Sequence, residues 1–339
     1  MSQDILHLDA EILSAATVVG GKEHAGPLGA HFDFFNEGDR FGKDTWEQAE
    51  SEMQRMAMAA ALSKAEICES EVDVLLAGDL LNQCVGSSYG LLSYDIPYLG
   101  LYGACSTSAE GLLLAAAMIS GGFARYAAAV TSSHNAAAER QFRTPLEYGG
   151  QRPPTGQWTV TGACGFVLAS PESGRASARI TRGLPGIVVD LGVCDANNMG
   201  AAMAPAAAST LLRYFQKSGD SPAGYDLIVT GDLGWEGSRI LCDLLEAEGL
   251  PITERHNDCG KLIFSRNTQD THSGGSGCGC AAVVLGSYLL PMLKRGALSR
   301  ILFMATGAMM SPDSVKQGQS IPGVAHLLCL ESPREHRKE

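Results

Sequence analysis

Two stretches of this chain repeat one another, and that repetition narrows the possible folds more than any other feature. VDVLLAGDL over residues 72–80 returns as YDLIVTGDL over 225–233: an acidic residue leads four apolar residues into Gly-Asp. Each reads as a buried strand that ends in a turn. Further on, Cys105 falls on Cys280, Arg125 on Arg300 and Thr131 on Thr306, a constant offset of 175 (280 minus 105), so ARYAAAVTSS matches SRILFMATGA. Each half therefore runs amphipathic helix, strand to Gly-Asp, fully buried helix, charged turn, second buried strand. Amphipathic helices are expected at 45–64, 209–219 and 237–248. Helices apolar nearly all round follow Cys105 and the glycines after His272, and such helices must be covered on every side. Strands that do not alternate belong to sheets covered on both faces. The pattern predicts an α/β fold of five layers, αβαβα, with duplicated halves at 1–175 and 176–339.

A chain of 339 residues with 45% hydrophobic and 18% charged content can bury a core of that size. Its net charge of -12, with no basic run before the terminal HRKE, excludes a phosphate-binding surface and hence nucleic acid as a partner. The start, MSQDILHLDAEIL, has acidic residues where a secretory signal would be basic and then apolar, so synthesis in the cytoplasm is expected. HSGGSGCGCAAVVLGSYLLPML (272–293) is the least charged stretch, but its glycines, His272 and Pro291 fit a buried helix entered through a glycine loop better than a membrane span. The ten cysteines read as reduced thiols. Cys278 and Cys280 have no second pair to make a zinc site, and no glycine-rich phosphate loop follows a strand, so neither metal nor cofactor is expected.

Cys105 lies at the head of the first buried helix. There the helix dipole and free N–H groups favour a thiolate, although a cysteine in that position can equally be a small core residue. Glu110, inside the same helix, needs a donor or a proton.

The duplication, with a cysteine opening the first buried helix, resembles the thiolase and ketoacyl-synthase superfamily. GPLGAHFD, AGDLLNQ, GACSTS, SSHNAAAERQFRTPLEYGGQRP, MGAAMAPAAA, RHNDCG and GGSGCGC together resemble, more closely, the stage V sporulation protein AD family of spore-forming bacteria. That resemblance covers nearly the whole chain. It implies a thiolase-like homodimer that binds dipicolinic acid, with or without calcium, within the machinery that loads this solute into the spore. It further implies a peripheral position on the forespore inner membrane, held there by other stage V sporulation protein A channel subunits.

The resemblance also locates the site. Where condensing enzymes carry a histidine after the strand matching LIVTGDL, this chain has Asp232, which cannot donate to an oxyanion and raises the pKa of a neighbouring thiol. The next family position falls on His256 or Asn257. Thr271 and His272 stand where thiolases carry a second cysteine, and Cys278 and Cys280 lie beyond the glycines. The site therefore reads as a retired one, with Cys105, Asp232, His256 and Asn257 as vestiges. Its helix N-terminus is expected to favour an anion. A flat dicarboxylate needs forked donors and a slot for its ring, and Cys105, His134, Arg140, Arg143, Tyr148, Arg152 and His256, with Trp158, are the expected ligand-binding set. The arginines could instead form surface pairs. Asp79, Asp232 and Asp258 could hold calcium, but one carboxylate per loop more often caps a turn. Two other functions remain open: a condensing enzyme using Cys105 with His256 on coenzyme A or carrier-protein substrates, and a structural adaptor.

Overall fold

A computed structural model describes residues 5–142, 152–171 and 175–333. Ten strands form one hydrogen-bonded path. The first five are β1 (Leu6–Gly20), β2 (Val74–Gly78), β3 (Tyr98–Gly100), β4 (Tyr126–Ser133) and β5 (Gly162–Ala169). Five more repeat them in order: β6 (Ala178–Leu184), β7 (Leu227–Thr230), β8 (His256–Asp258), β9 (Arg300–Ala308) and β10 (Gly323–Glu331). The first set is ordered β3-β2-β4-β5-β1 and the second β8-β7-β9-β10-β6. Pairing is parallel among β2, β3 and β4, and among their counterparts β7, β8 and β9; the remaining pairs in each set are antiparallel. β1 and β6 pair antiparallel, joining the two sets edge to edge. The short strand Phe34–Asn36 adds beside β1.

The helices supply the other layers. α1 (Trp46–Ala65) covers β1, β4 and β5 from outside, opening on Thr45, whose hydroxyl accepts from the Gln48 N–H. α2 (Thr107–Ser120), which follows Cys105, packs on β1, β2 and β4 of one set and on β9 and β10 of the other, and so lies between the two. α3 (Asn135–Phe142) follows β4. α4 (Met199–Ser218) covers β9 and β10 on the far side, and α5 (Gly234–Ala247) packs against α4. α6 (Cys278–Val284) is fully buried against β4 and β5 and touches α2. The five expected layers are present.

Two helices differ from expectation. α4 starts ten residues before 209, because Asn198 caps the Ala201 N–H and the alanines that follow are strong helix formers, so the run absorbs Pro205. α6 passes through one wide π turn, Leu285–Leu289, before resuming over Leu290–Arg295. Pro291 has no N–H for the carbonyl four residues back, and a π turn is a common way to absorb such a break.

Candidate functional site

Cys105 sits in a single tight turn, Ala104–Ser106, just ahead of α2, and is only 5% exposed. The turn is locked from within: the Ser106 hydroxyl donates to the Gly103 carbonyl (2.6 Å), and the Thr107 hydroxyl donates to the Ala104 carbonyl (2.7 Å). Ala104 takes a left-handed conformation at φ +49°, which costs a non-glycine residue about 1 kcal/mol. Gly307 of β9 presses on the same turn. A Cβ there would fall 2.3 Å from the Gly103 carbonyl oxygen, so only glycine lets the second half approach Cys105 so closely.

What faces the sulfur comes from that second half. Asp232, just past β7, is fully buried, and its carboxylate accepts from the Thr306 hydroxyl (2.8 Å), the Gly277 N–H (2.9 Å) and the Ser276 hydroxyl (3.2 Å). The same carboxylate acts on the Cys105 thiol. Burial pushes the Asp232 carboxyl up to about 6, against the pull of its donors. Burial, reinforced by Asp232, pushes Cys105 well above the ordinary thiol value. Of the two readings of Cys105, a thiolate favoured by the helix dipole and a small core residue, its burial and raised thiol fit the second. Desolvation and an adjacent carboxylate outweigh a partial charge at a helix end.

The three aspartates weighed for calcium act as backbone acceptors. Asp79 accepts from the Leu81 and Ser87 N–H groups (2.8 and 2.7 Å), and Asp258 from those of Leu233 and Gly234 (2.8 and 2.9 Å) at the start of α5. Burial raises Asp258 to about 7. The two copies of Gly-Asp therefore differ in use: Asp79 satisfies N–H groups after its own strand, whereas Asp232 accepts from Gly277 ahead of α6 and leaves those after β7 to Asp258.

A cavity of about 40 Å³ opens beside Cys105, room for a few waters. Its polar lining is Cys105, Thr159, Glu139 and Ser276; Leu80, Tyr102, Phe142, Met199 and Met310 are among its apolar lining. Glu139 accepts from the Thr159 hydroxyl at 2.8 Å. Of the described members of the expected ligand-binding set, only Cys105 lines this cavity. Tyr102, Glu139 and Met199 were not foreseen, although Glu139 stands next to Arg140 in sequence.

The other expected residues are placed elsewhere. His256 is turned toward α5: Nε2 meets the Thr230 hydroxyl at 2.9 Å and Nδ1 lies 3.7 Å from the Cys242 sulfur. Burial lowers it to about 3. Side chains alternate along β8, so His256 shares the side of Asp258, and the Thr230 hydroxyl serves both; the pairing with Cys105 is not formed. The Asn257 side chain accepts from the Asp258 N–H. His134 is buried, its Nε2 donating to the Asp39 carbonyl (2.8 Å) and its ring lying 5.3 Å from that of Trp46. Arg140 pairs with Glu47. Arg152 lies over Trp158 and pairs with Asp270 at 3.1 Å. These two arginines are drawn off by carboxylates distant in sequence, and Arg143 and Tyr148 fall outside the described residues. Cys278 and Cys280 donate to the carbonyls of Ser132 and Gly231. Glu110 is raised by burial, and its Oε2 has no hydrogen-bond partner.

The sequence profile of the stage V sporulation protein AD family matches residues 3–331. The chain belongs to that family. The stage V sporulation protein AD of Bacillus subtilis (strain 168) is 46% identical over 318 residues, spanning 94% of this chain and 93% of that one. Solved structures show that this stage V sporulation protein AD family member has the thiolase-like fold. A single-residue variant of OleA from Xanthomonas campestris superposes with a TM-score of 0.60 at 16% identity, covering 96% of this chain and 99% of that one. The 3-oxoacyl-[acyl-carrier-protein] synthase III of Aquifex aeolicus VF5 gives 0.57 at 13%, covering 95% and 99%. At such identities the likeness is one of fold alone. In this chain Cys105 stands at the head of α2 with the Asp232 carboxylate acting on its thiol.

Proposed function

We propose that this member of the stage V sporulation protein AD family binds dipicolinate at the Cys105 cleft and does not use Cys105 as a nucleophile. The observation that carries this is the buried Asp232 against the thiol, with no histidine among the described residues that line the cavity. A condensing enzyme needs a thiolate and a donor for the developing oxyanion, and Asp232 opposes both. Dipicolinate itself is supported by the family. Because the enclosed cavity is small, the ligand occupies its mouth, where Tyr102 (41% exposed) and Phe142 offer ring faces. Next to Asp232 and Glu139 a bare dianion is repelled, so the neutral calcium complex is the favoured form.

Calorimetry with dipicolinate, its calcium complex and acetyl-coenzyme A tests this. Binding of the calcium complex should survive Cys105→Ala and weaken about tenfold in Phe142→Ala, a loss of one ring contact. Coenzyme A release that vanishes in Cys105→Ala would favour the enzyme instead, and no heat from any of the three would favour the adaptor.

The proposal extends to partners. Among the described residues no helix is long and apolar enough to cross a membrane. Attachment to the forespore inner membrane through stage V sporulation protein A channel subunits fits this and the net charge of -12, which disfavours anionic headgroups. A homodimer is supported by the edge strand β3, which among the described residues pairs only with β2, and by Tyr89, Leu92, Tyr98 and Leu99, all exposed within residues 89–99. A second copy adding edge to edge covers this patch. The protein should run as a dimer in light scattering and Leu99→Lys as a monomer; a wild-type monomer at micromolar concentration rules the dimer out.

A further inference from the structure

The two-residue strand Trp158–Thr159 pairs parallel with Gly275–Ser276, and two cations share its indole. Lys22 Nζ lies 3.7 Å from the Trp158 ring centroid and Arg152 Cζ 4.8 Å from it. Both donate to the same carbonyl, that of Asp270, at 3.4 and 2.7 Å. Among the described residues the carboxylate seen to pair with Arg152 is that of Asp270 (3.1 Å), which also lies 2.9 Å from His272 Nε2, while His272 Nδ1 donates to the Pro153 carbonyl (2.8 Å). Asp270 is 76% exposed, whereas Arg152 is 18% exposed and its Nη1 is buried without an acceptor. Glu23, next to Lys22 in sequence, does not offset the two cations at neutral pH, because burial raises it to about 8. Lys22 is lowered by burial and then by Arg152, the mark of two like charges held close.

We propose that this pair of cations on the Trp158 ring binds a small free carboxylate, which displaces the Asp270 side chain and takes both terminal guanidinium nitrogens of Arg152. An exposed carboxylate in an ion pair is held by little, so displacing it costs little. A planar carboxylate can accept from both terminal nitrogens at once, where Asp270 satisfies Nη2 and leaves Nη1 without an acceptor. The site is separate from the Cys105 cavity and does not depend on it: Thr159 lines that cavity, and successive side chains of an extended segment point to opposite faces.

Calorimetry on the full chain with benzoate, dipicolinate and inorganic phosphate at fixed ionic strength tests the assignment. Asp270→Asn should tighten benzoate about tenfold by removing the internal competitor. Arg152→Gln in that background should abolish binding, and Lys22→Gln, which leaves the Arg152–Asp270 pair in place, should weaken it about fivefold. Phe142→Ala, which affects the cavity, should leave benzoate binding unchanged, so the two sites fail or stand separately. Phosphate binding tighter than benzoate, no gain in Asp270→Asn, or binding that survives both Arg152→Gln and Lys22→Gln overturns the proposal.

Discussion

At pH 7.5, iodoacetamide should modify Cys68 and Cys194 first, with Cys105 slower by about tenfold or more. Cys68 and Cys194 are exposed, whereas Cys105 is buried and its thiol is pushed up by desolvation and by Asp232. Burial and the carboxylate are separable. Asp232→Asn keeps an acceptor for the Gly277 N–H but removes the negative charge, so labelling of Cys105 should quicken by about threefold to tenfold without a change in its exposure. Peptide mass mapping over a time course measures both rates. If Cys105 is instead the first thiol labelled, or carries an acyl mass after incubation with acetyl-coenzyme A, the site is nucleophilic and the binding-protein proposal fails.

Thermal stability should rise as the pH falls from 8.5 to 6.5, by about 2–3 kcal/mol in unfolding free energy. Burial raises Glu23 to about 8, Asp258 to about 7 and Asp232 to about 6. Each therefore holds a proton in the fold that the unfolded chain has already released. That stability is complete below the ordinary carboxyl range near pH 4 and is lost as pH climbs through the raised value. Glu23, fully buried with Oε1 accepting from the Thr161 N–H at 3.0 Å, supplies most of the change over this window. Buried histidines oppose it lower down. His256 and His326, lowered to about 3 and 4, stay neutral in the fold, so their contribution is lost as pH falls below about 6.5. Below that point the two sets offset and the curve should flatten. Calorimetric unfolding of the wild type and Glu23→Gln checks this. The variant should lose most of the dependence and be the more stable protein at pH 8.5. A wild type equally stable at both ends of the window contradicts the assignment.

The layers could be read from sequence because they rest on apolar runs and a repeated Gly-Asp, which report on the backbone and its neighbours in the chain. Asp232 was legible for the same reason: its place after β7 sets its place in space, and its effect on the thiol followed from charge alone. Direction and partnership were not legible. Arg140 and Arg152 meet Glu47 and Asp270, 93 and 118 residues away, and no local pattern announces either pair. His256 was expected after a strand or in a turn; it lies within the strand β8 instead and faces α5. Tyr102 and Met199 stand beside GACSTS and at the start of MGAAMAPAAA, but those strings mark the family and do not say which of their side chains face the cavity.

The antiparallel seam between β1 and β6 has a mechanical consequence. Proteins that engulf a ligand between lobes need a hinge, a few residues free to swing while each lobe stays intact. Here a ladder of backbone hydrogen bonds runs across the boundary from Leu6 opposite Gly183 to Ile12 opposite Ala178, and α2 is wedged against strands on both sides. Swinging one lobe away would tear that ladder and strip α2 of half its packing. Whatever reaches Cys105 therefore passes a fixed frame, and its speed of entry and exit is set by the side chains at the mouth, Tyr102 and Phe142 among them.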